Sequence, residues 1–130
     1  MRTELFVPAG MTRTVFALPG VTVSRVAGHE VSPTGPQPVE PLASRALGPA
    51  GTTLVSTVGD LLAFARLQLE DRTLAVLREP GGEVQIHGWL DHWCLGLARF
   101  DWRGGRVWGW DSLAKGERGI LRFVPERRTA

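Results

Sequence analysis

Five prolines, Pro33, Pro36, Pro38, Pro41 and Pro49, crowd residues 32–50. Proline has no backbone N–H and a fixed φ, so neither a helix nor a central strand can run through them. They force a long loop on the first half of the chain. A loop of this length inside a compact domain is a functional loop, or it packs against something beyond itself. What precedes it is short and irregular. Thr14–Leu18 predicts a strand that Pro19-Gly20 stops, and Val21, Val23, Val26 and Val31 alternate loosely enough for another. Residues 1–50 thus read as a loop-rich opening segment.

Regular structure follows the prolines. Thr57 is a good N-cap, and Asp60 stands three residues later, in the capping-box position. Leu61, Leu62, Ala65 and Leu69 recur at helical spacing, with Arg66, Gln68 and Glu70 facing out, which predicts a helix over Val58–Leu69. Thr73–Arg78 predicts a second, short helix ended by Pro80-Gly81-Gly82. Residues 51–80 are therefore the helical part. Residues 88–126 change character. Trp93–Trp102 and Arg106–Trp110 are β-rich runs joined by Arg103-Gly104-Gly105, a hairpin signal. Arg118–Val124 is a third run, with Ile120, Arg122 and Val124 alternating against Leu121 and Phe123. Three antiparallel strands in sequence form a meander. The fold class is α+β: a helix packed on a three-stranded antiparallel sheet, in one domain over residues 1–130.

Composition narrows the chemistry. A single cysteine, Cys94, permits neither an internal disulfide nor a cysteine-based zinc site. The chain has no Tyr and no Asn, and Lys115 is its one lysine. A tyrosine base or an asparagine-containing catalytic motif is thereby excluded from these residues. The net charge is +2 with a pI of 9.5, and the arginines are scattered along the chain, which argues against nucleic acid as a partner. No eighteen-residue apolar run stands in the sequence, so no membrane span is expected. Arg2, Glu4, Pro8 and Arg13 interrupt any secretory apolar region, so the chain as written reads as cytoplasmic, without an export signal.

Several residues could carry chemistry. His29, His87, Asp91 and His92 are the possible metal ligands, but only His87 and His92 are close in sequence, and solvated loop histidines are the plainer reading. No metal or cofactor is therefore expected. Ser112-Leu113-Ala114-Lys115 matches Ser-x-x-Lys, in which a lysine with a lowered pKa can activate a serine one helical turn away. Gly116 and Gly119 argue against a helix there, and a turn capped by Asp111 or Ser112 is the competing reading. Trp89, Trp93, Trp102, Trp108 and Trp110 could stack on a ligand or cover a sheet beneath a helix. Cys94 reads as a buried, inert thiol.

The stretch from Pro49-Ala50-Gly51 through Ser56-Thr57-Val58-Gly59-Asp60-Leu61 to Phe64 resembles the Pro-Ala-Gly-x-x-x-Ser-Thr-x-x-Asp-Leu-x-x-Phe segment of the serine β-lactamase-related hydrolases. That family includes class C β-lactamases, D-alanyl-D-alanine carboxypeptidases (penicillin-binding-protein-like enzymes) and related esterases. Gly10-Met11-Thr12-Arg13-Thr14-Val15-Phe16 is similar to its Gly-Met-x-x-Thr-x-Phe segment, and Cys94-Leu95-Gly96-Leu97 to its Gly-Leu-Gly-Trp strand. Gly109-Trp110-Asp111-Ser112 falls where the family carries its third motif. Leu121-Arg122-Phe123-Val124-Pro125 resembles the strand that follows. The five segments keep the family's order.

The resemblance implies a three-part machine: Ser-x-x-Lys for nucleophile and base, Tyr-x-Asn or Ser-x-Asn for proton transfer, and a third motif that positions substrate. It places the first two parts ahead of the Gly-Met segment. The chain is thus read as a single partial domain, the C-terminal part of such a hydrolase, inactive alone. Trp110, Asp111 and Ser112 are its substrate-binding candidates, and no catalytic residue is assigned. Trp110 stands where Lys or His is commoner, and Ser112 replaces the usual Gly. The loss of a cation tilts the substrate preference toward neutral esters or amides. A small-molecule or peptide substrate would bind once the N-terminal part is present. An exposed sheet edge invites self-association. The alternative is a non-catalytic ligand-binding or interaction module built on the same fold.

Overall fold

The computed structural model describes residues 1–17, 20, 22–40, 53–82 and 90–130. The tail of the proline-rich stretch, the Pro-Ala-Gly start of the Ser-Thr segment, His87 and Trp89 lie outside the described residues. Two compact units divide the chain: residues 1–61 with 111–119, and residues 62–110 with 120–130.

The first unit opens with a π-helical turn, Arg2–Phe6, running into the short helix α1, Val7–Ala9, which Gly10 closes at φ 72°. Strand β1 (Val15–Phe16) pairs antiparallel with β4 (Leu54–Val55). Strands β2 (Gly28–Ser32) and β3 (Gly35–Val39) form a hairpin. This corrects the expectation of a continuous loop from residue 32, and the register explains why prolines are tolerated there. Pro36 faces Val31 and Pro38 faces His29. Neither proline can donate to its partner, so these are the non-hydrogen-bonded pairs of the ladder. The N–H of His29 then points away from β3, and it donates to the Gly116 carbonyl at 3.1 Å. Both prolines sit on the outer side of β3, where a missing donor costs nothing.

Helix α2 spans Val58–Glu70, one residue beyond its predicted end. Thr57 caps it as expected, its Oγ1 accepting from the Asp60 N–H at 3.2 Å. Gln68 departs from the reading: it is buried, at 1% exposure, rather than facing out. The second helix forms as a 3-10 helix, Arg72–Arg78, whose N-cap Asp71 accepts from the Thr73 N–H at 2.9 Å and from the Thr73 hydroxyl at 2.6 Å. Those two bonds hold the exposed Asp71 carboxyl below its ordinary pKa.

The sheet has five strands rather than three, in the order β5 (Pro80–Gly82), β6 (His92–Cys94), β7 (Ala98–Trp102), β8 (Gly105–Ala114), β9 (Glu117–Phe123). The predicted run Trp93–Trp102 is broken because Gly96, at φ 121°, turns the chain between β6 and β7. Strand β8 continues four residues past Trp110, to Ala114. In the second unit, Leu97, Trp108 and Phe123 are buried together, with Leu69, Leu77 and Trp110 packed on them. Ala98, Phe100 and Val107 form a separate cluster with Leu90 and Val124. The register separates the two: Phe100 pairs with Val107 on one face, and Arg99 with Trp108 on the other. Each large buried side chain contributes about 1.5–3 kcal/mol.

Candidate functional site

Glycine fixes where β8 can run. A Cβ on Gly109 would collide with the Leu121 carbonyl oxygen of β9, so only glycine allows this approach. The next residue, Trp110, is half-buried. Its ring meets Phe64 edge-to-face, with centroids 5.4 Å apart and planes at 71°. Its carbonyl accepts from Arg122 Nη1 at 3.0 Å. The Arg122 guanidinium lies 3.7 Å from the centroid of the Phe100 ring. Trp110 is thereby held at both its ring and its backbone, and the second anchor reads in the sequence only as one member of an alternating strand.

Asp111 points to the opposite face of β8 from Trp110, as strand alternation requires. Its side chain is 8% exposed and accepts from Arg118 Nη2 at 2.9 Å, while Arg118 itself is 56% exposed. Ser112 is exposed, and its hydroxyl donates to the Gly119 carbonyl at 3.4 Å. Asp111 and Ser112 therefore stand in a strand, not in a capping turn. Lys115 sits in the turn that leads to Gly116 and is exposed. Since residues 112–114 are extended, Ser112 and Lys115 do not share a helical face, and the serine–lysine pairing that Ser-x-x-Lys requires does not form.

The Ser-Thr-x-x-Asp segment builds a different kind of centre. The Asp60 carboxylate does not reach back to Thr57 as a capping box would. Its Oδ2 instead accepts from the Arg13 N–H at 2.9 Å and the Thr14 hydroxyl at 2.6 Å. Thr14 Oγ1 and Ser56 Oγ are 2.8 Å apart. Asp60 and Thr14 are 6% and 7% exposed. The carboxylate thus ties the chain before β1 to the start of α2. The spacing of the two segments, 46 residues apart at Thr14 and Asp60, hides this link from the sequence.

The remaining candidates scatter. His29 is exposed, with Nδ1 2.9 Å from the Ala27 carbonyl. His92 Nε2 lies 3.9 Å from Asp101. Asp91 accepts from the Asp101 N–H at 2.7 Å. Among the described residues, no group of three or more His, Cys, Asp or Glu could hold a metal. Trp93 and Trp102 are exposed and Trp108 is buried. Cys94 is buried at 1% exposure, which pushes its thiol pKa up, against a smaller opposing effect of the Arg99 charge. No helix among the described residues is long and apolar enough to cross a membrane.

A family model described as Beta-lactamase matches residues 1–130. A solved structure titled "Crystal structure of SurE" superposes with a TM-score of 0.73 at 27% identity, over 95% of this chain and 32% of that one. The chain thus spans about a third of the solved protein it matches. No curated protein matches it.

Proposed function

Because this chain belongs to the β-lactamase family, we propose that it is the C-terminal part of a serine β-lactamase-related hydrolase, acting on a β-lactam, a D-alanyl peptide or a carboxylic ester. The observation that carries the reading is the match over residues 1–130, within which Gly109-Trp110-Asp111-Ser112 lies on a sheet strand where the resemblance puts the third motif. In this reading Trp110 and Ser112, on one face of β8, form part of the substrate-binding wall, and Asp111 on the other face supports it. Trp110 offers an apolar surface held by Phe64. Ser112 offers an exposed hydroxyl. Asp111, paired with Arg118, sets the strand rather than the substrate charge.

The chain alone is inactive in this proposal. The Tyr-x-Asn part needs residue types the sequence lacks, and the one Ser-x-x-Lys lies in extended backbone. The purified chain is expected to show no turnover of a chromogenic β-lactam or a short-chain ester above the uncatalysed rate. Turnover abolished by Ser112→Ala would overturn this and make Ser112 the nucleophile. A second reading, a non-catalytic ligand-binding module, is favoured by the half-buried ring of Trp110. It predicts a saturable change in tryptophan fluorescence on titration with a β-lactam or a peptidoglycan-like peptide, lost in Trp110→Leu. Self-association through β9, an edge of the five-stranded sheet, belongs to the same proposal, and analytical ultracentrifugation tests it.

A further inference from the structure

The turn between β7 and β8 carries positive charge and an exposed indole. Trp102 is 57% exposed, and its cross-strand partner is Gly105, which has no side chain to cover it. A Cβ built on Gly105 meets nothing within 4 Å, so the tip is open. Arg103 lies in that turn, and Arg106 follows it on the face of the hairpin opposite Trp102; both are exposed. Arg127 joins them from the far end of the chain, its Nη2 donating to the Gly104 carbonyl at 2.8 Å. Among the described residues none of these three arginines forms an ion pair. Of the neighbouring carboxylates, Asp101 faces Arg106 across the strands, is paired with Arg99 at 3.0 Å, and has Asp91 against its N–H at 2.7 Å.

We propose that this turn is a docking surface for an anionic lipid headgroup layer, with Trp102 at the interface and Arg103 and Arg127 over the phosphates. Indole rings favour the membrane–water boundary, and arginines near an anionic leaflet add attraction that falls off within a Debye length. The shape favours a lipid surface over nucleic acid. A single-stranded nucleic acid is bound in a groove along which several aromatics stack in succession. Here one exposed ring stands at a turn, with the buried Phe100 ring 6.4 Å behind it.

The test is co-sedimentation of the full chain with vesicles of phosphatidylcholine containing about 30 mol % phosphatidylserine, against phosphatidylcholine alone. Binding is expected only with phosphatidylserine. It should weaken about thirtyfold in Arg103→Gln/Arg127→Gln and severalfold in Trp102→Ala. Raising the salt to about 0.5 M should release the wild-type chain, a readout that needs no variant to fold. Equal binding to both vesicles, no binding to either, or binding indifferent to salt overturns the proposal. So does a chain that ignores vesicles and binds an oligonucleotide instead. Circular dichroism of each variant separates a lost surface from a lost fold.

Discussion

The unit of residues 1–61 and 111–119 and the unit of residues 62–110 and 120–130 bury different kinds of atoms. In the second, the buried groups are mostly apolar, with Phe123 at 1%, Leu97 at 2% and Trp108 at 7%, and the Gln68 amide is buried too, at 1%. In the first, Thr53, Asp60 and Thr14 are as deeply buried as Phe6 and Met11, and a carboxylate stands where a hydrophobe would serve. Apolar burial is non-directional and tolerates adjustment, whereas a buried carboxylate is favourable only while each donor stays in place. The first unit is therefore specified by a few directed bonds and close glycine contacts, the second by volume.

That difference can be broken experimentally. The largest effect should come from Phe123→Ala, which opens a cavity in the apolar cluster and should lower the unfolding free energy by about 3–5 kcal/mol in urea titration. Asp60→Ala should cost about 2–4 kcal/mol, because it strands the Arg13 N–H and the Thr14 hydroxyl. If Asp60→Leu were neutral, the first unit would be held by volume as well, and the contrast would collapse. Gly116→Ala should cost about 1–3 kcal/mol, since φ is 70° and the new Cβ would stand 2.5 Å from the His29 nitrogen. In the second unit, Gln68→Leu should raise the unfolding free energy by about 1 kcal/mol, because neither end of its buried amide has a hydrogen-bond partner. A fall would mean that the apolar unit also depends on a polar contact. The smallest signal is kinetic: Cys94 should react with iodoacetamide more slowly in the native chain than in urea, because burial raises its thiol pKa and blocks access.

Elements with local signals are legible in the amino-acid sequence itself. Thr57 and the Leu61–Leu69 spacing locate α2, and Arg103-Gly104-Gly105 locates the β7–β8 turn, because capping and turn chemistry act over a few residues. Two kinds of feature are not legible there. Strands β5 and β6 are three residues each, too short for alternation to register. The partners of Asp60, Trp110 and Gly116 come from elsewhere in the chain, so nothing beside them announces the contact. The candidate residues Trp110, Asp111 and Ser112 are named through a motif, whereas their supports, Phe64, Arg122 and Arg118, emerge only from the fold.

The two glycine turns of the long strands carry a practical consequence for labelling. At residues 115–116 the backbone touches the β2–β3 hairpin: a Cβ on Gly28 would lie 2.7 Å from the Lys115 carbonyl oxygen. Lys115 is exposed and is the chain's one lysine, the obvious handle for amine chemistry. A fluorophore on its amine leaves that backbone contact alone, but an inserted tag would wedge the hairpin away. The turn at Gly104-Gly105 is open at Gly105 and is where extra residues fit, at the cost of covering Trp102 and of the Arg127 bond to the Gly104 carbonyl. Side-chain exposure alone would rank the two turns as equals, and the backbone contacts separate them.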